Sequence, residues 1–476
     1  MSIENQNIIV PRTVKGMRDY FPETVIARRK IIETVRTVFE RYGFVPLDTP
    51  ALEYVETLVG YGDTSKNIFR SKSPEAEKNT EDIGLRFDLT VPLARVVSQY
   101  ADKLPKPFRR YQVANVWRAD KPDPGRFREF IQFDLDTVGS SSMSADTEIL
   151  CGMYDVFIAL GIKNFLIRFN NRKILNSMLE FSGIPFFLGT DVFRILDKLD
   201  KISFNEIALE LTVGRTDASG DKIRGLGLQN NQVIKIKQFL DLPKGKRLES
   251  LANVEQLFGS VSFGISELKE ICNYLDALSI PEEKVQIDFS LARGLDYYTG
   301  PVFEAILLDA LEFGSVFGGG RYDQLVERFI KNTIPAVGAS TGIDRLLAAM
   351  EKLQLIETTP STAQVIVTVM ERNRMSDYLQ ITRELRQSGI NAELYLGEEK
   401  GLGKQLQYAN KQQIPLAVII GSNEFEKNEV TIKDLRAGKN VDASNREEYM
   451  KATKQAQILI PRSQLLSTIR QLLTSQ

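Results

Sequence analysis

The chain has 476 residues, of which 43% are hydrophobic and 26% charged, and its formal net charge at pH 7 is −1. This length exceeds one ordinary hydrophobic core and predicts two or three domains. The balanced charge argues against a protein that binds nucleic acid over its whole surface, but it leaves room for a local basic surface. No apolar run approaches a membrane span and the N-terminus lacks the layout of a signal peptide, so we expect a cytoplasmic protein.

The chain contains no histidine. This excludes Ser-His and Cys-His nucleophile pairs, HExxH zinc sites and a histidine general base. Cys151 and Cys272 form no CxxC pair, so neither a disulfide framework nor a thiolate zinc site is predicted. Chemistry would therefore depend on arginines, carboxylates, amides and tyrosines, which favours phosphoryl or nucleotidyl transfer through charge stabilisation and positioning.

The first predicted element is an amphipathic helix at residues 22–42. Pro22 suits its first turn and Gly43 its C-terminal cap. Four side chains recur at helical spacing along its apolar face: Ile31, Val35, Val38 and Tyr42. The segment 47–49 lies between two prolines, which predicts an edge or entry strand, or else a simple linker.

Residues 85–90 alternate between apolar and polar side chains, which predicts a strand, followed by a helix at about 91–100. The strand would place three polar side chains on one face: Arg86, Asp88 and Thr90. Considered alone, such a face is favoured as the solvated side of a sheet.

A β-hairpin is predicted from residues 110–118 and 128–138, joined by a loop at 121–125 that contains two prolines and a glycine. The return strand places three polar side chains on one face: Gln132, Asp134 and Asp136. Residues 103–128 carry eight basic and two acidic side chains, a local net charge of +6. Arginines here could hold phosphate, and the carboxylates could hold a cation or an ammonium group.

Residues 172–275 have a charged helical pattern, which predicts an inserted domain. After it, residues 285–291 alternate as a half-buried strand and lead into a turn at 293–300 that contains Arg293 and two glycines. An arginine beside glycines suits an anion, because its fork binds phosphate or carboxylate and glycine allows close approach of the backbone. The alternative is a hairpin with a surface arginine, in which residues 302–307 form the returning strand.

Residues 338–345 lead into an amphipathic helix predicted at 346–353. Arg345 lies at the start of this helix, where a positive charge opposes the helix dipole. This position favours an external anion as its partner.

A polar stretch at 357–363 predicts a linker. Beyond it the pattern changes to strands alternating with helices, which predicts a separate α/β domain of about a hundred residues. The glycines at 397–403 are too weak a signal for a nucleotide site.

Four segments together resemble the histidyl-tRNA synthetases, a family of class II aminoacyl-tRNA synthetases, over essentially the whole chain. They are RGLDYYTG at 293–300, VWRADKPDPGRFREFIQFDLD at 116–136, AVGASTGIDR at 336–345 and the proline-bounded segment ending near Leu52. In the same order, these segments resemble the family's own signature, motif 2, motif 3 and the dimer-forming motif 1. Motifs 2 and 3 are general to the class, so the 293–300 signature makes the resemblance specific.

The resemblance implies an α+β fold in which a catalytic domain is built on an antiparallel sheet of about six strands. The catalytic domain would occupy residues 1–171 and 276–356, the helical insertion 172–275, the linker 357–363 and an anticodon-binding domain 364–476. The implied partners are histidine, ATP with Mg²⁺, tRNA(His) and a second copy of the chain in a homodimer. The implied reaction forms histidyl-adenylate and transfers its histidyl group to the 3′ end of tRNA.

The resemblance also implies which residues bind ATP. Arg118 would bind the α-phosphate, and Arg345 would hold the distal phosphates. Arg293 would approach the α-phosphate and the substrate carboxylate from the other side. Asp120 would help to hold ATP or its magnesium, and Arg293 and Arg118 would be the catalytic pair.

The remaining implied contacts are with histidine and tRNA. The residues expected at the α-amino end of histidine are Asp88, Thr90 and Gln132. Those expected around the imidazole are Asp136 and Tyr298, with Tyr297 and Tyr322 nearby. Those expected to contact tRNA are Lys121 and Arg126.

Two departures from the commonest bacterial pattern resemble the eukaryotic-type branch of the family. Asp88 and Asp136 stand where glutamate is frequent, and LRFDLT at 85–90 replaces an RPEGT-like run. The shorter carboxylates keep the same faces. The loop at 121–125 is where reading of the tRNA acceptor end would differ.

Two rival hypotheses follow from the same residues. The first is a catalytically inactive paralogue like the regulatory subunit of ATP phosphoribosyltransferase. Such paralogues lack the C-terminal domain and often lose motif arginines, whereas residues 364–476 and Arg118, Arg293 and Arg345 are all present here. The second is an RNA-binding module that uses the basic stretch at 103–128.

Overall fold

The computed structural model describes residues 9–59, 67–71, 82–121, 127–217, 220–243, 245–259, 263–292, 298–399, 401–438 and 456–474. Contacts divide the chain into two compact units. The first comprises residues 1–19 and 28–356, and the second comprises residues 20–27 and 357–476. Among the described residues, none of the helices has the length and apolar character needed to cross a bilayer.

The strands of the first unit are β1 (Val45–Pro46), β2 (Leu52–Tyr54), β3 (Arg70–Ser71), β4 (Ile83–Leu85), β5 (Phe108–Trp117), β6 (Glu129–Val138), β7 (Phe165–Asn171), β8 (Gly214–Thr216), β9 (Lys222–Arg224), β10 (Val285–Ile287), β11 (Pro301–Leu307), β12 (Ser315–Arg321) and β13 (Ala336–Gly342). The helices in residues 22–352 are α1 (Pro22–Arg41), α2 (Val55–Leu58), α3 (Thr90–Gln99), α4 (Met143–Ala159), α5 (Arg172–Ser182), α6 (Gly189–Leu196), α7 (Phe204–Leu211), α8 (Asn230–Leu240), α9 (Arg247–Phe258), α10 (Phe263–Ala277) and α11 (Ile343–Lys352).

The main sheet of the first unit has eight strands among the residues described, in the order β1-β5-β6-β13-β12-β11-β7-β10. The six inner strands pair antiparallel, and the short strands β1 and β10 add parallel at the two edges. The antiparallel sheet predicted from the sequence is therefore confirmed for the inner strands. The edge strands enlarge it to a mixed sheet.

One face of this sheet is apolar and carries the core. Phe133 and Leu135 of β6 are fully buried on it, and the ring of Phe39 from α1 packs edge-on against Phe133 with centroids 5.3 Å apart. The buried stripe of α1 includes Ile31 and Val35, as predicted. The alternate residues of β6 are polar and point to the opposite face, so period-two alternation divides β6 between the core and a polar surface.

Three segments differ from the sequence prediction. The N-terminal edge strand is Val45–Pro46, not 47–49, although the Leu47 amide still donates to the Tyr111 carbonyl at 2.9 Å. β10 ends at Ile287, because the Asp288 carboxylate accepts the Ser290 amide at 3.0 Å and turns the chain. β11 is not the hairpin partner of β10, since β7 lies between them and pairs with both.

The described residues of 172–275 are mainly helical, as predicted, from α5 to α10. A short β8–β9 hairpin was not predicted from their sequence. Gly214 in β8 has a φ of +90°, and a Cβ there would overlap the β9 backbone, so the hairpin depends on glycine at this position.

The second unit contains the strands β14 (Val365–Val367), β15 (Ala392–Leu394), β16 (Leu416–Ile419), β17 (Glu429–Asp434) and β18 (Gln457–Pro461), with the helices α12 (Met375–Gln387), α13 (Leu402–Lys411), α14 (Ser422–Lys427) and α15 (Leu465–Thr474). Its sheet has the order β15-β14-β16-β17-β18. The first three strands pair in parallel and the last two antiparallel. A core of its own, including Val365, Tyr378 and Leu416, supports the predicted α/β architecture.

Candidate active site

Each polar residue on the polar face of β6 is paired in register with a residue on each of the two neighbouring strands, β5 and β13. Asp136 pairs in register with Arg110 of β5 and Gly338 of β13. Two residues along, Asp134 pairs with Gln112 and Ser340, and then Gln132 pairs with Ala114 and Gly342. The strand register therefore gathers polar side chains from three strands on one face of the sheet.

A cavity of about 350 Å³ opens at the Gln132 end of this face. It is lined by polar and aromatic side chains and by backbone: Arg118, Asp120, Phe127, Phe130, Gln132, Tyr298, Phe303, Ser315, Val316, Phe317, Gly318, Gly319, Ser340, Gly342, Asp344 and Arg345. Its volume and its mixture of aromatic surface with a few charges are typical of a small-molecule site.

Arg118 follows β5 directly and is held at one wall of the cavity. Its Nε donates to the Phe87 carbonyl at 3.0 Å, and its Nη2 lies 3.4 Å from Gln132 Oε1. The guanidinium carbon lies 5.2 Å from the centre of the Phe130 ring. These contacts fix a permanent positive charge in one orientation at the cavity, which suits a phosphate.

Arg345 lies in the first turn of α11 and lines the cavity together with Asp344. Arg345 Nη1 donates to the Ser315 carbonyl at 2.7 Å. The Asp344 carboxylate accepts the Ile131 amide at 2.9 Å and pairs with Arg28 at 3.2 Å. Asp344 therefore ties α11 to β6 and α1, and Arg345 adds a second cation to the cavity wall.

Asp136 lies deeper than the lining of the cavity. Its Oδ1 accepts from the Tyr322 hydroxyl, and its Oδ2 lies 2.8 Å from Nη2 of the wholly buried Arg110. That approach to Arg110 lacks the angles of a hydrogen bond, so Asp136 Oδ2 is a buried acceptor that receives no hydrogen bond from the described residues. A Cβ at Gly338 would overlap Asp136 Oδ1, so this layer requires glycine on β13.

Acidic groups outnumber arginine in this buried layer. Burial raises the pKa of Asp136 to about 7 and that of Asp88 to about 6, and it also raises the pKa of Asp134. The nearby Arg110 opposes each rise. Carboxylates that lack enough positive charge around them favour a cationic or hydrogen-donating ligand.

Because of this excess of acidic groups, the free energy of unfolding of the substrate-free chain should depend on pH. Compared with an Asp136→Asn variant, the natural chain is expected to lose stability as the pH rises from about 4 to about 8, on the order of 4 kcal/mol. The reason is that folded Asp136 keeps its proton up to about pH 7, so the folded state holds more protons than the unfolded chain across this range.

Urea unfolding of both proteins at pH 4, 6 and 8 measures this difference. The other groups that face Asp136 are unchanged in the variant: Arg110, Tyr322, Asp134 and Asp88. A stability difference that stays constant with pH would show that Asp136 ionises as it does in the unfolded chain.

The predicted strand at 85–90 is wrong. β4 ends at Leu85, and Thr90 begins α3. Arg86 is buried, and its Nη1 donates to the Thr49 carbonyl at 2.6 Å. The Asp88 carboxylate accepts the Val91 amide at 3.0 Å at the start of α3. Arg86 and Asp88 thus have separate partners, and the polar residues of this segment do not share a strand face.

Other predicted site residues fall in different places. Tyr298 lines the cavity, and a Cβ at Gly320 would lie 2.9 Å from its ring. Lys121 is exposed at the end of the described part of the hairpin. The remaining predicted site residues, Arg126, Arg293 and Tyr297, lie outside the described residues.

Polar contacts hold both described flanks of the 293–297 segment. On the entry side, the buried Asn170 side chain donates to the carbonyls of Phe289 and Leu291 at 3.2 and 3.0 Å. On the exit side, Thr299 Oγ1 donates to Asp323 Oδ2 at 3.0 Å. The described residues on both flanks are therefore held by polar contacts, and Tyr298 on the exit side lines the cavity.

Asp134 and Arg110 belong to the polar face but were not among the individual site residues predicted from the sequence. The alternation along β6 already placed Asp134 between two predicted site residues, so a signal for it existed. The position of Arg110 opposite Asp136 depends on the β5–β6 register, which the sequence pattern does not give.

Comparison with known proteins agrees with this architecture. The histidyl-tRNA synthetase family model matches residues 16–346, and an anticodon binding domain model matches residues 364–472. A histidine–tRNA ligase of Ruegeria sp. (strain TM1040) is 42% identical, with 98% of this chain and 96% of that protein covered. One of Paracoccus denitrificans (strain Pd 1222) is 41% identical, with 97% of each covered.

Solved structures show the same relationship. The crystal structure of histidyl-tRNA synthetase from Nostoc sp. PCC 7120 superposes with a TM-score of 0.80 at 30% identity, covering 98% of this chain and 100% of that one. A Bacillus halodurans protein described as an ATP phosphoribosyltransferase regulatory subunit/histidyl-tRNA synthetase shares the fold with a TM-score of 0.67 at 21% identity, covering 84% of this chain and 97% of that one. From its matched domains and its full-length relatives, the chain belongs to the histidyl-tRNA synthetase family.

Proposed function

We propose that this histidine–tRNA ligase forms histidyl-adenylate in the cavity beside the β5–β6 hairpin and then transfers the histidyl group to the 3′ end of tRNA(His), in the cytoplasm. The observation that carries this proposal is a pocket with arginines on its walls and a buried carboxylate layer at one end. The histidine carboxylate attacks the α-phosphorus of ATP, and pyrophosphate leaves. The attacking group is already ionised, so this step needs charge stabilisation and positioning more than a protein base.

Arg118 and Arg345 serve the ATP side of the cavity. Arg118 binds the α-phosphate and Arg345 the distal phosphates, while Arg293 approaches the α-phosphate and the substrate carboxylate from the other side. Among the described residues no group of three or more acidic or cysteine side chains is gathered to hold a metal. Asp120 would help to hold ATP or its Mg²⁺, and Mg²⁺ would neutralise charge on the phosphates.

The carboxylate layer serves histidine. Gln132, with Asp88 and Thr90, binds the α-amino end, and Asp136 and Tyr298 read the imidazole, with Tyr297 and Tyr322 nearby. Asp136 Oδ2 is paired with Arg110 but accepts no hydrogen bond from the described residues, which supports this assignment because an imidazole N–H can donate to it.

An Asp136→Asn variant should bind histidine far less tightly and ATP almost normally. Loss of a charged hydrogen-bond acceptor is expected to raise KM for histidine about 30-fold, whereas KM for ATP should change by less than about threefold. Tyr111→Phe, on the same hairpin but hydrogen-bonded to Glu40 on the other face of the sheet, is the matched control. Equal effects of Asp136→Asn on both substrates would place Asp136 outside the amino-acid site.

The tRNA and the dimer involve other surfaces. Residues 364–476 bind the anticodon region, and Lys121 and Arg126 contact the acceptor end. We place the homodimer contact near β2, where Leu52 and Tyr54 are about half exposed. β2 pairs with β4 on one side only among the described strands, and an apolar strand edge of this kind suits a second copy of the chain.

Exchange of labelled pyrophosphate into ATP tests the proposed function. Purified chain with ATP and histidine should catalyse the exchange, and each of the other amino acids should leave it near background. An inactive paralogue or an RNA-binding module would show no exchange with histidine. Absence of this exchange would therefore reject the proposal.

A further inference from the structure

Gln132, Asp134 and Asp136 form the polar row of β6. Asp134 lies in the middle of this row and is 1% exposed. It does not line the cavity. Both of its carboxylate oxygens face the side-chain amide of Gln132, whose Nε2 lies 2.9 Å from Oδ1 and 3.1 Å from Oδ2. Asp134 therefore contacts a residue that lines the cavity but does not itself line it.

Two neighbours of opposite hydrogen-bonding character fix the Gln132 amide. A glutamine amide has a donor end and an acceptor end, and rotation by 180° exchanges them. An ionised Asp134 only accepts, so Nε2 must face it. The Arg118 guanidinium only donates, and it lies 3.4 Å from Oε1. One orientation satisfies both neighbours, and it leaves Oε1 on the cavity side.

Burial raises the pKa of Asp134, and two neighbours oppose that rise by stabilising its ionised form. Arg110 Nη2 lies 3.9 Å from its carboxylate, and a hydrogen bond with the Ser340 side chain adds to that stabilisation. Ser340 and Arg110 come from the strands on either side of β6. The contacts that fix the Gln132 amide through Asp134 therefore involve all three strands of the polar face, β5, β6 and β13. We call this arrangement the lock on Gln132.

We propose that Asp134 is a positioning residue that holds the Gln132 side chain with its oxygen toward the cavity, as an acceptor for the ammonium group of the amino-acid substrate. This inference rests on the proposed role of Gln132 at the α-amino end of histidine. With the amide reversed, an NH₂ group would face the ammonium, and two donors would meet. Loss of the lock should therefore weaken amino-acid binding and leave ATP binding nearly unchanged.

A double-mutant cycle tests this role in the full-length chain by histidine-dependent pyrophosphate exchange. Asp134→Asn keeps the shape but allows either amide orientation. It should raise KM for histidine about tenfold and change KM for ATP less than about twofold. In a Gln132→Ala background the same Asp134→Asn change should have no further effect on KM for histidine.

Each other outcome of the cycle has a distinct meaning. Additive increases in KM would overturn the lock, because Asp134 would then act on the ammonium through its charge alone. A normal KM in Asp134→Asn beside a raised KM in Gln132→Ala would also overturn it. An unchanged KM in Gln132→Ala would reject the role proposed for Gln132 itself, and the lock with it.

An exchanged pair covers the case in which Asp134→Asn folds poorly. In the double variant Gln132→Glu with Asp134→Asn, the new amide at 134 donates to one oxygen of the new carboxylate, whose other oxygen faces the cavity. The net charge of the row is kept. KM for histidine should return to within about threefold of the natural value, and thermal unfolding checks that the variant is folded. A folded double variant with a KM that stays high would contradict the lock.

Discussion

Replacing Arg118 with alanine is expected to lower kcat for histidine-dependent pyrophosphate exchange by roughly 10²–10³-fold. Negative charge grows on the α-phosphate oxygens as the histidine carboxylate attacks. A cation that is already fixed by the Phe87 carbonyl and by Gln132 stabilises that charge without reorganisation. The measurement is kcat and KM for each substrate, with purified variant and natural chain compared at the same magnesium concentration.

Lys103→Ala is the matched control for Arg118→Ala, because Lys103 is an exposed cation of the same basic stretch and does not line the cavity. It should leave exchange within about twofold, since an isolated surface charge contributes little. If Arg118→Ala raised KM for ATP while kcat stayed the same, Arg118 would bind the ground state and the transition state equally and would not act selectively on the growing charge.

Removal of residues 362–476 is expected to abolish efficient tRNA charging but to preserve adenylate formation. Every described residue that lines the cavity belongs to the first unit, and the core of the second unit is built from its own strands and helices. Exchange should stay within about threefold, whereas kcat/KM for tRNA should fall by about 10² or more, equivalent to about 3 kcal/mol of lost binding.

The truncated chain must be shown to be folded before its activity is compared. Circular dichroism and thermal unfolding test whether the truncated chain is folded. Light scattering tests whether it forms the same oligomer as the full chain. If a folded truncated chain lost pyrophosphate exchange, the separation of adenylate formation from anticodon binding would be wrong.

The polar row of β6 could be predicted from the sequence because strand alternation converts directly into faces of a sheet. Gln132, Asp134 and Asp136 were placed together on this basis, and the structure shows them on one buried face. The partners of the row could not be predicted in the same way. They depend on the register between β6 and its neighbours, and β13 lies about two hundred residues further along the chain.

Alternation gave a wrong prediction at 85–90, where the polar residues have separate partners. Arg86 is bound by backbone carbonyls and Asp88 by a helix amide, and the pattern at 85–90 imitates a strand. Pairing failed where the sheet inserts a distant strand. β10 and β11 are neighbours in sequence, but β7 lies between them. The 293–300 signature still identified the family, because that inference used residue identity and not strand pairing.

A crystal structure of the chain with a non-hydrolysable sulfamoyl analogue of histidyl-adenylate tests the proposed site most directly. We expect the sulfamoyl oxygens within hydrogen-bonding distance of the Arg118 guanidinium and the ammonium group on Gln132 Oε1. The imidazole should lie beside Tyr298, with an N–H directed to Asp136 Oδ2. An analogue bound outside this cavity, or bound in it with the imidazole directed away from the β6 polar row, would contradict the assignment.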